Sequence, residues 1–477
     1  MNIQSFSKSR LFANEKHTAV LVVFTVCIVL RTAPELTAYP YPIGYDVVNF
    51  YIPTVADFED KWDTVSKQFP LYVIFLYFVR ITTGLPAHSI VAGVAIVMGG
   101  IFGMSLFYLG RNLLKLGISQ SAFLAIFAFF QVPVLRTMWD LHKDIFALTA
   151  MMFAFSLLGR KYAGWKALAQ TLALATLTVA ADRMIGALFC LSLAVYAVMT
   201  RRRDVTLTAI LGIGVFCTLI VASYGISEID TSTITITTGT TSMSQNGESE
   251  FYTPTNLVIL FAVMTGLIAA PAAFGFFTMK NSLLKIPLLV SLVGSFSWLV
   301  FPENSLLVAD RWIVLSGVFL SVFAGYGIIH LLVKNLKPSL FSVVAGSILA
   351  AFVMIGLAYA VMPHDSPFIL YGAARPYIQN FGPVTMQFNS LDIEDNKNLL
   401  SAIVWLNKNT ERDAIIVGEK HWRGFMELDL ADGRIYAPSN DPFGLAAALE
   451  KQGRPTYLIS VVGGLHTNFT IEDMRRR

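Results

Sequence analysis

Cysteine is nearly absent from this sequence. Its three cysteines, Cys27, Cys190 and Cys217, all lie inside apolar runs, which excludes a disulfide framework and a zinc site. Charge is scarce too: 14% of residues are charged against 55% hydrophobic, with a mean hydropathy of +0.61. A soluble chain of 477 residues could not hide that much apolar surface, so the composition points to a polytopic membrane protein. The formal net charge of +4 says little by itself, and no nucleic-acid partner is expected. There is no internal repeat of the kind that marks many transporters. The first apolar segment lacks a small-residue cleavage site and reads as a retained helix, not a signal peptide.

What is present is a series of runs near the roughly 20 residues that a spanning helix needs. They fall at 18–30, 88–110, 119–135, 145–159, 167–181, 184–199, 205–223, 255–277, 286–301, 311–332 and 339–362. The expected fold is therefore an α-helical polytopic membrane protein of about eleven transmembrane helices. With the N-terminus placed in the cytoplasm, the inner segments hold fifteen basic residues against two acidic ones, Glu15 and Asp204. The outer segments before 362 hold eight basic and fifteen acidic residues. That asymmetry is the expected bias of short cytoplasmic loops. It predicts a multi-pass plasma-membrane protein with its C-terminal tail outside.

Two domains are expected: a membrane domain, 1–362, with a long first external loop at 31–87, and a small C-terminal extracytoplasmic α/β domain, 363–477. Residues 70–82, "PLYVIFLYFVRIT", are too short to span and are expected along the outer interface, with Tyr72, Tyr77 and Arg80 toward headgroups. In the tail, "DNKNLLSAIVWLNKN" and "PFGLAAALEKQG" read as helices and "AIIVG", "RIYAP" and "TYLISVVG" as strands, which suggests a mostly parallel sheet. The Ser/Thr-rich stretch 227–254 reads as a mobile loop.

The polar groups that could carry chemistry all fall on the outer side. Asp57, Glu59, Asp60 and Asp63 read as solvated loop acids. Asp46, in "YPIGYDVVNFY", sits instead in an aromatic, nearly uncharged context, where an ionised group needs a cation, metal or hydrogen-bond partner. Gly44 just before it can let the backbone turn tightly. In "LRTMWDLHKDIFAL", Arg136, Asp140, Lys143 and Asp144 are spaced by three or four and would share one helix face, with His142 pointing elsewhere. That set is either an internally paired helix end or a cluster able to hold a phosphate directly or through a metal. Asp182 and Arg183 lie between two apolar runs, where mutual pairing or snorkelling is an adequate explanation. Glu303, Asp310 and Arg311 fall in "FPENSLLVADRWIVL". Arg311, at the start of a helix, is poorly placed for the macrodipole and calls for a nearby anion.

With "GYD" early in a long external loop, interfacial material at 70–82, "WDLHKD" in the second loop and "DRW" at 310–312, the chain resembles the GT-C superfamily of integral membrane glycosyltransferases. The resemblance implies a polyprenyl- or dolichyl-phosphate-linked sugar donor and a glycan, lipid or protein acceptor. It implies that Asp46 is the catalytic or acceptor-orienting acid. Second-loop groups then engage donor phosphate or a Mg²⁺ or Mn²⁺ ion. This assigns Arg136, Lys143 and Arg311 to phosphate and Asp140 and Asp144 to metal, with Asp182, Arg183, Glu303 and Asp310 accessory. The tail is similar in layout to the oligosaccharyltransferase branch, but where that branch carries WWDYG this sequence reads "KHWRGF", residues 420–425. Only Trp422 and Gly424 are reminiscent. Glu248 or Glu250 would have to serve for that branch's loop glutamate. A transporter or flippase of a lipid-linked or polar solute is the competing reading, but it should place charges near mid-helix. A non-catalytic membrane scaffold is the third.

Overall fold

The computed structural model describes residues 3–38, 42–44, 46–66, 69–160, 165–224, 254–299, 309–361, 393–419, 422–431, 433–439, 441–462 and 468–474. The loop 227–253, with Glu248 and Glu250, and Glu303 lie outside these residues. The long helices are α1 (Ile3–Ala38), α5 (Ala87–Asn112), α10 (Arg183–Thr200), α11 (Arg203–Tyr224), α12 (Pro254–Thr278), α14 (Ala309–Asn335) and α15 (Pro338–Val361). These seven are long and apolar enough to cross a bilayer. The pair α6 (Ile118–Phe129) and α7 (Val132–Asp140), bent by 64°, makes an eighth if it is one span.

Eleven full-length spans are therefore too many by this measure, although every run identified by hydropathy is helical. The shorter ones are α8 (His142–Leu158) and α9 (Trp165–Ala181), of 17 residues, and α13 (Ser282–Ser295), of 14. At 1.5 Å per residue they reach about 26 and 21 Å, short of the roughly 30 Å hydrocarbon core. α8 is buried along most of its length and packs against protein, so its length need not match the lipid. Elsewhere large apolar side chains point outward, Val198, Phe277 and Val293 being 79, 80 and 73% exposed, as lipid-facing surfaces require. α12 and α14 cross where Gly275 meets Gly327, with no room for a Cβ on either side.

The first long loop begins later than 31, because α1 continues through Pro34 to Ala38. It contains a π-turn (Val47–Tyr51), α2 (Ile52–Ala56), α3 (Trp62–Ser66) and α4 (Leu71–Thr83). α4 is the short amphipathic helix expected at 70–82, capped by left-handed Gly84. Tyr72, expected toward headgroups, is instead 1% exposed and packs on Tyr51 and Phe146. Arg80 also turns inward and donates to the carbonyls of Val55 and Ala56. The residues that face out are Phe78 and Ile81. A helix this apolar buries one face in protein and leaves the other for the interface.

The described part of the tail forms α16 (Ile393–Asn409), β1 (Ile415–Glu419), α17 (Arg423–Asp429), β2 (Ile435–Ser439), α18 (Pro442–Glu450), β3 (Thr456–Val462) and β4 (Asn468–Asp473). The sheet order is β2-β1-β3-β4. β1 is parallel to both neighbours, Ile415 pairing with Ile435 and Thr456, and β4 is an antiparallel edge. The core joins Leu399, Ile403, Ile416, Phe425 and Ile459 to Val48 of the first long loop. The Gly424 amide donates to Asn49 Oδ1 at 2.8 Å. A Cβ on Gly424 would lie 2.7 Å from the Val48 carbonyl carbon and 2.9 Å from Asn49 Cα. Trp422, 4% exposed, belongs to this docked core, so the start of α17 seats the tail on the loop.

Candidate functional site

The expected single helix face at 136–144 does not form. α7 ends at Asp140 and α8 starts at His142, with Leu141 breaking the run. The break directs each side chain to a different partner. Asp140, 0% exposed, accepts the Asp46 backbone N–H on Oδ1 at 2.7 Å. Its Oδ2 lies 3.8 Å from Arg136 Nη1. Asp144 sits in the first turn of α8 with the Asp182 carboxyl as a neighbour. Asp182 also caps α10, accepting Ile185 N–H at 2.9 Å, and lies 3.6 Å from Lys143 Nζ.

Gly44 makes the loop's approach possible. Its φ is +112°, and a Cβ there would sit 2.6 Å from the Trp139 carbonyl and 2.9 Å from Asp140 Oδ1. Only a residue without a Cβ can hold the loop that close to the end of α7. Asp46 follows at the start of the π-turn, half-buried and making no side-chain cap hydrogen bond. Its backbone is thus fixed while its carboxylate is left for other work.

Arg311 closes the site from α14. Asp144, Asp46, Asp310 and Asp182 all lie within electrostatic reach of its guanidinium, so the anions it called for include the protein's own acids. Asp310, in the first turn of α14, is 3% exposed. Asp46, Asp140, Asp144, Asp182 and Asp310 outnumber Arg136, Lys143 and Arg311 by two. The fold offsets this surplus in part, because α8, α10 and α14 all present N-termini here, each worth roughly +0.5 charge. Arg136 Nε and Nη1, Asp140 Oδ2 and Asp144 Oδ1 are buried and make no hydrogen bond within the described residues. Orphaned buried polar atoms of both signs are costly in a finished core and mark a place that a polar ligand can complete.

Arg183 is not brought in. It lies over the Phe69 ring at 5.3 Å from its centroid. His142, set aside on spacing alone, is buried beneath the site with its ring stacked on Tyr51, centroids 5.6 Å apart. The Tyr51 hydroxyl accepts Lys143 N–H at 3.4 Å, and burial holds that phenol well above its ordinary range. Arg31 and Glu35 complete the support at the end of α1. They pair at 2.6 Å while Arg31 donates to the Met138 carbonyl at 3.3 Å and Glu35 accepts Ile43 N–H at 3.3 Å. Their i,i+4 spacing was the available signal.

Of the expected metal ligands, Asp140 faces Asp46 N–H and Arg136, whereas Asp144 neighbours Asp182. Among the described residues no group of three or more His, Cys, Asp or Glu could hold a metal. Asp144 and Asp182 fit one side of a cation, because neighbouring buried carboxyls repel each other unless a proton or a cation relieves them.

No family model matches the sequence, and no curated protein matches it. Among solved structures, the chain is similar to the crystal structure of ArnT from Cupriavidus metallidurans bound to undecaprenyl phosphate. The TM-score is 0.47 at 12% identity, covering 94% of this chain and 93% of that one.

Proposed function

We propose that the chain is a membrane glycosyltransferase that moves a sugar or glycan from a polyprenyl-phosphate-linked donor to a glycan, lipid or protein acceptor on the extracytoplasmic side. The observation that carries this reading is the convergence of Asp46, clamped by its backbone to Asp140, with Lys143 and Arg311 at the ends of apolar helices. The ionisable groups gather at helix ends, where a transporter would need them near mid-helix.

In this reading Lys143 and Arg311 meet the donor phosphate, exchanging contacts with the surrounding carboxylates for contacts with its oxygens. A narrow apolar crevice lined by Phe50, Phe69, Tyr72 and Val73 lies beside Lys143. The acceptor's oxygen or nitrogen attacks the anomeric carbon, and the bond from that carbon to the phosphate oxygen breaks. Polyprenyl phosphate leaves with the electron pair, and the acceptor proton passes to the Asp46 carboxylate. The Asp140 contact holds Asp46 in position, and Arg136 balances the charge of Asp140. A Mg²⁺ or Mn²⁺ ion, where one is used, would be held by Asp144 and Asp182 and would supply charge neutralisation at the phosphate.

The test is transfer from a labelled polyprenyl-phosphate sugar by purified protein, wild type against Asp46→Asn. The variant keeps shape and should fold, insert and bind donor. Loss of a general base typically costs about 10²–10⁴ in rate. A well-folded Asp46→Asn that keeps more than roughly a tenth of wild-type turnover would remove Asp46 from the chemistry, since the smallest expected loss is larger.

A further inference from the structure

A second charged site lies at the other end of the helices. α8 starts at the acidic cluster and α10 starts beside it, and both run away to end at Leu158 and Thr200. There a cleft of about 730 Å³ is lined by Lys115, Arg160, Arg202, Arg203, Asp204 and the side chains of Leu168 and Leu207. The volume falls within the range of small-molecule sites, roughly 300–1,000 Å³.

The one acid in the lining is already satisfied. Arg202 holds Asp204 through Nε at 3.2 Å and Nη2 at 2.6 Å. Lys115 donates to the carbonyls of Asn112 and Gly159 at 2.6 and 2.7 Å, which fixes its ammonium at the rim and leaves one of its three hydrogens. Arg160 Nε and Nη2 each approach the Asn112 side-chain amide to 3.2 Å. Arg160 and Arg111 of α5 both add to the field at Lys16 of α1. Arg203 is exposed.

The general bias of inner loops toward basic residues accounts for their number but not for their arrangement. Like charges drawn around one hollow repel each other unless an anion joins them. The leucine walls suit a ligand that is apolar below its charge. Trp165, 75% exposed at the start of α9, sets this level as the membrane–water boundary. We infer that this cleft binds the phosphate-bearing headgroup of an anionic phospholipid, whose acyl chains leave past Leu168 and Leu207. Basic pockets between membrane helices are suited to such headgroups. The inference does not depend on the glycosyltransferase reading.

The test is native mass spectrometry of the full-length protein in detergent, titrated with phosphatidylglycerol, phosphatidylcholine or glycerol 3-phosphate. Arg160→Glu/Arg203→Glu changes two exposed side chains and should leave the melting temperature unchanged. Arg203→Gln serves as the milder variant if the pair does not fold. Phosphatidylglycerol should bind the wild type about tenfold or more tighter than the double variant, in line with the loss of charge-assisted contacts. Arg203→Gln should show a smaller loss in the same direction, and affinity should fall with added salt. Equal retention by wild type and variant, or equal binding of phosphatidylcholine, would overturn the site. Competition by glycerol 3-phosphate at equal concentration would overturn the lipid as its source.

Discussion

Gly44→Ala tests whether the first loop is held against α7 by backbone contact. At φ +112° a residue with a Cβ carries local strain of about 1–3 kcal/mol. The added carbon would also press to 2.6 Å on the Trp139 carbonyl, a backbone atom of a buried helix that cannot swing aside. Overpacking of that kind costs about 1–3 kcal/mol. The loop can absorb some 2–6 kcal/mol in total or lift away, by the sum of those ranges. Lifting surrenders the 2.7 Å hydrogen bond from Asp46 N–H to the Asp140 carboxylate, a charge-assisted contact worth about 1.5–3 kcal/mol. Either path displaces Asp46, and a shift of about 1 Å at a reacting group can cost about 10²-fold in rate. The assay is sugar transfer beside thermal unfolding. Gly84→Ala supplies the control, because Gly84 also has positive φ (+69°) but nothing lies within 4 Å of its would-be Cβ. It should show only the local strain and near-normal turnover. A Gly44→Ala protein matching the Gly84→Ala control in both measurements would refute the reasoning.

Lys143→Ala should raise the donor KM about ten- to hundredfold with a smaller effect on kcat, and an unchanged KM would take Lys143 out of the phosphate site. Asn49→Ala removes the acceptor for the Gly424 amide and should speed proteolysis of the tail, by roughly 1–3 kcal/mol of lost docking; unaltered cleavage would mean the contact contributes nothing. In a background lacking the native cysteines, a cysteine at Arg203 should be shielded from an impermeant reagent added outside, whereas one at Lys451 should react. The reverse pattern would invert the site's sidedness. Burial raises the Glu419 carboxyl above its ordinary 4.5. Its contribution to stability is therefore full below that value and is lost as pH rises through the raised one. Glu419→Gln should flatten the fall in tail stability as pH rises above the ordinary carboxyl value, and an unchanged slope would assign it elsewhere.

Hydropathy located every long helix of the membrane domain, because sustained apolar sequence has few other outcomes in a bilayer, but not the π-turn, α2 and α3 of the first long loop. It misjudged lengths where burial in protein replaced burial in lipid, as along α8. Asp46, Asp140, Asp144 and Arg311 were legible as charges that apolar surroundings do not excuse. Their partners were not, because the break at Leu141 redirects side chains that spacing had put on one face. Arg31 and Glu35 escaped because a hydropathy scan stops at the first charge, and an internally neutral buried pair looks the same as the start of a loop. Tyr72 and His142 are placed by tertiary packing on Tyr51, which leaves no trace in local periodicity. In the tail the parallel strands announced themselves, whereas β4 is defined by its pairing with β3.

The bond between Asn49 and Gly424 joins residues 375 positions apart. A ribosome releases the first of them long before it makes the second. The loop carrying Asp46 therefore emerges early and is completed last, when the tail arrives to dock on Val48 and Asn49. During that interval the nascent chain holds an apolar patch at the membrane surface with no cover. A message truncated anywhere before α17 would yield an inserted bundle of helices whose earliest loop never receives its other half.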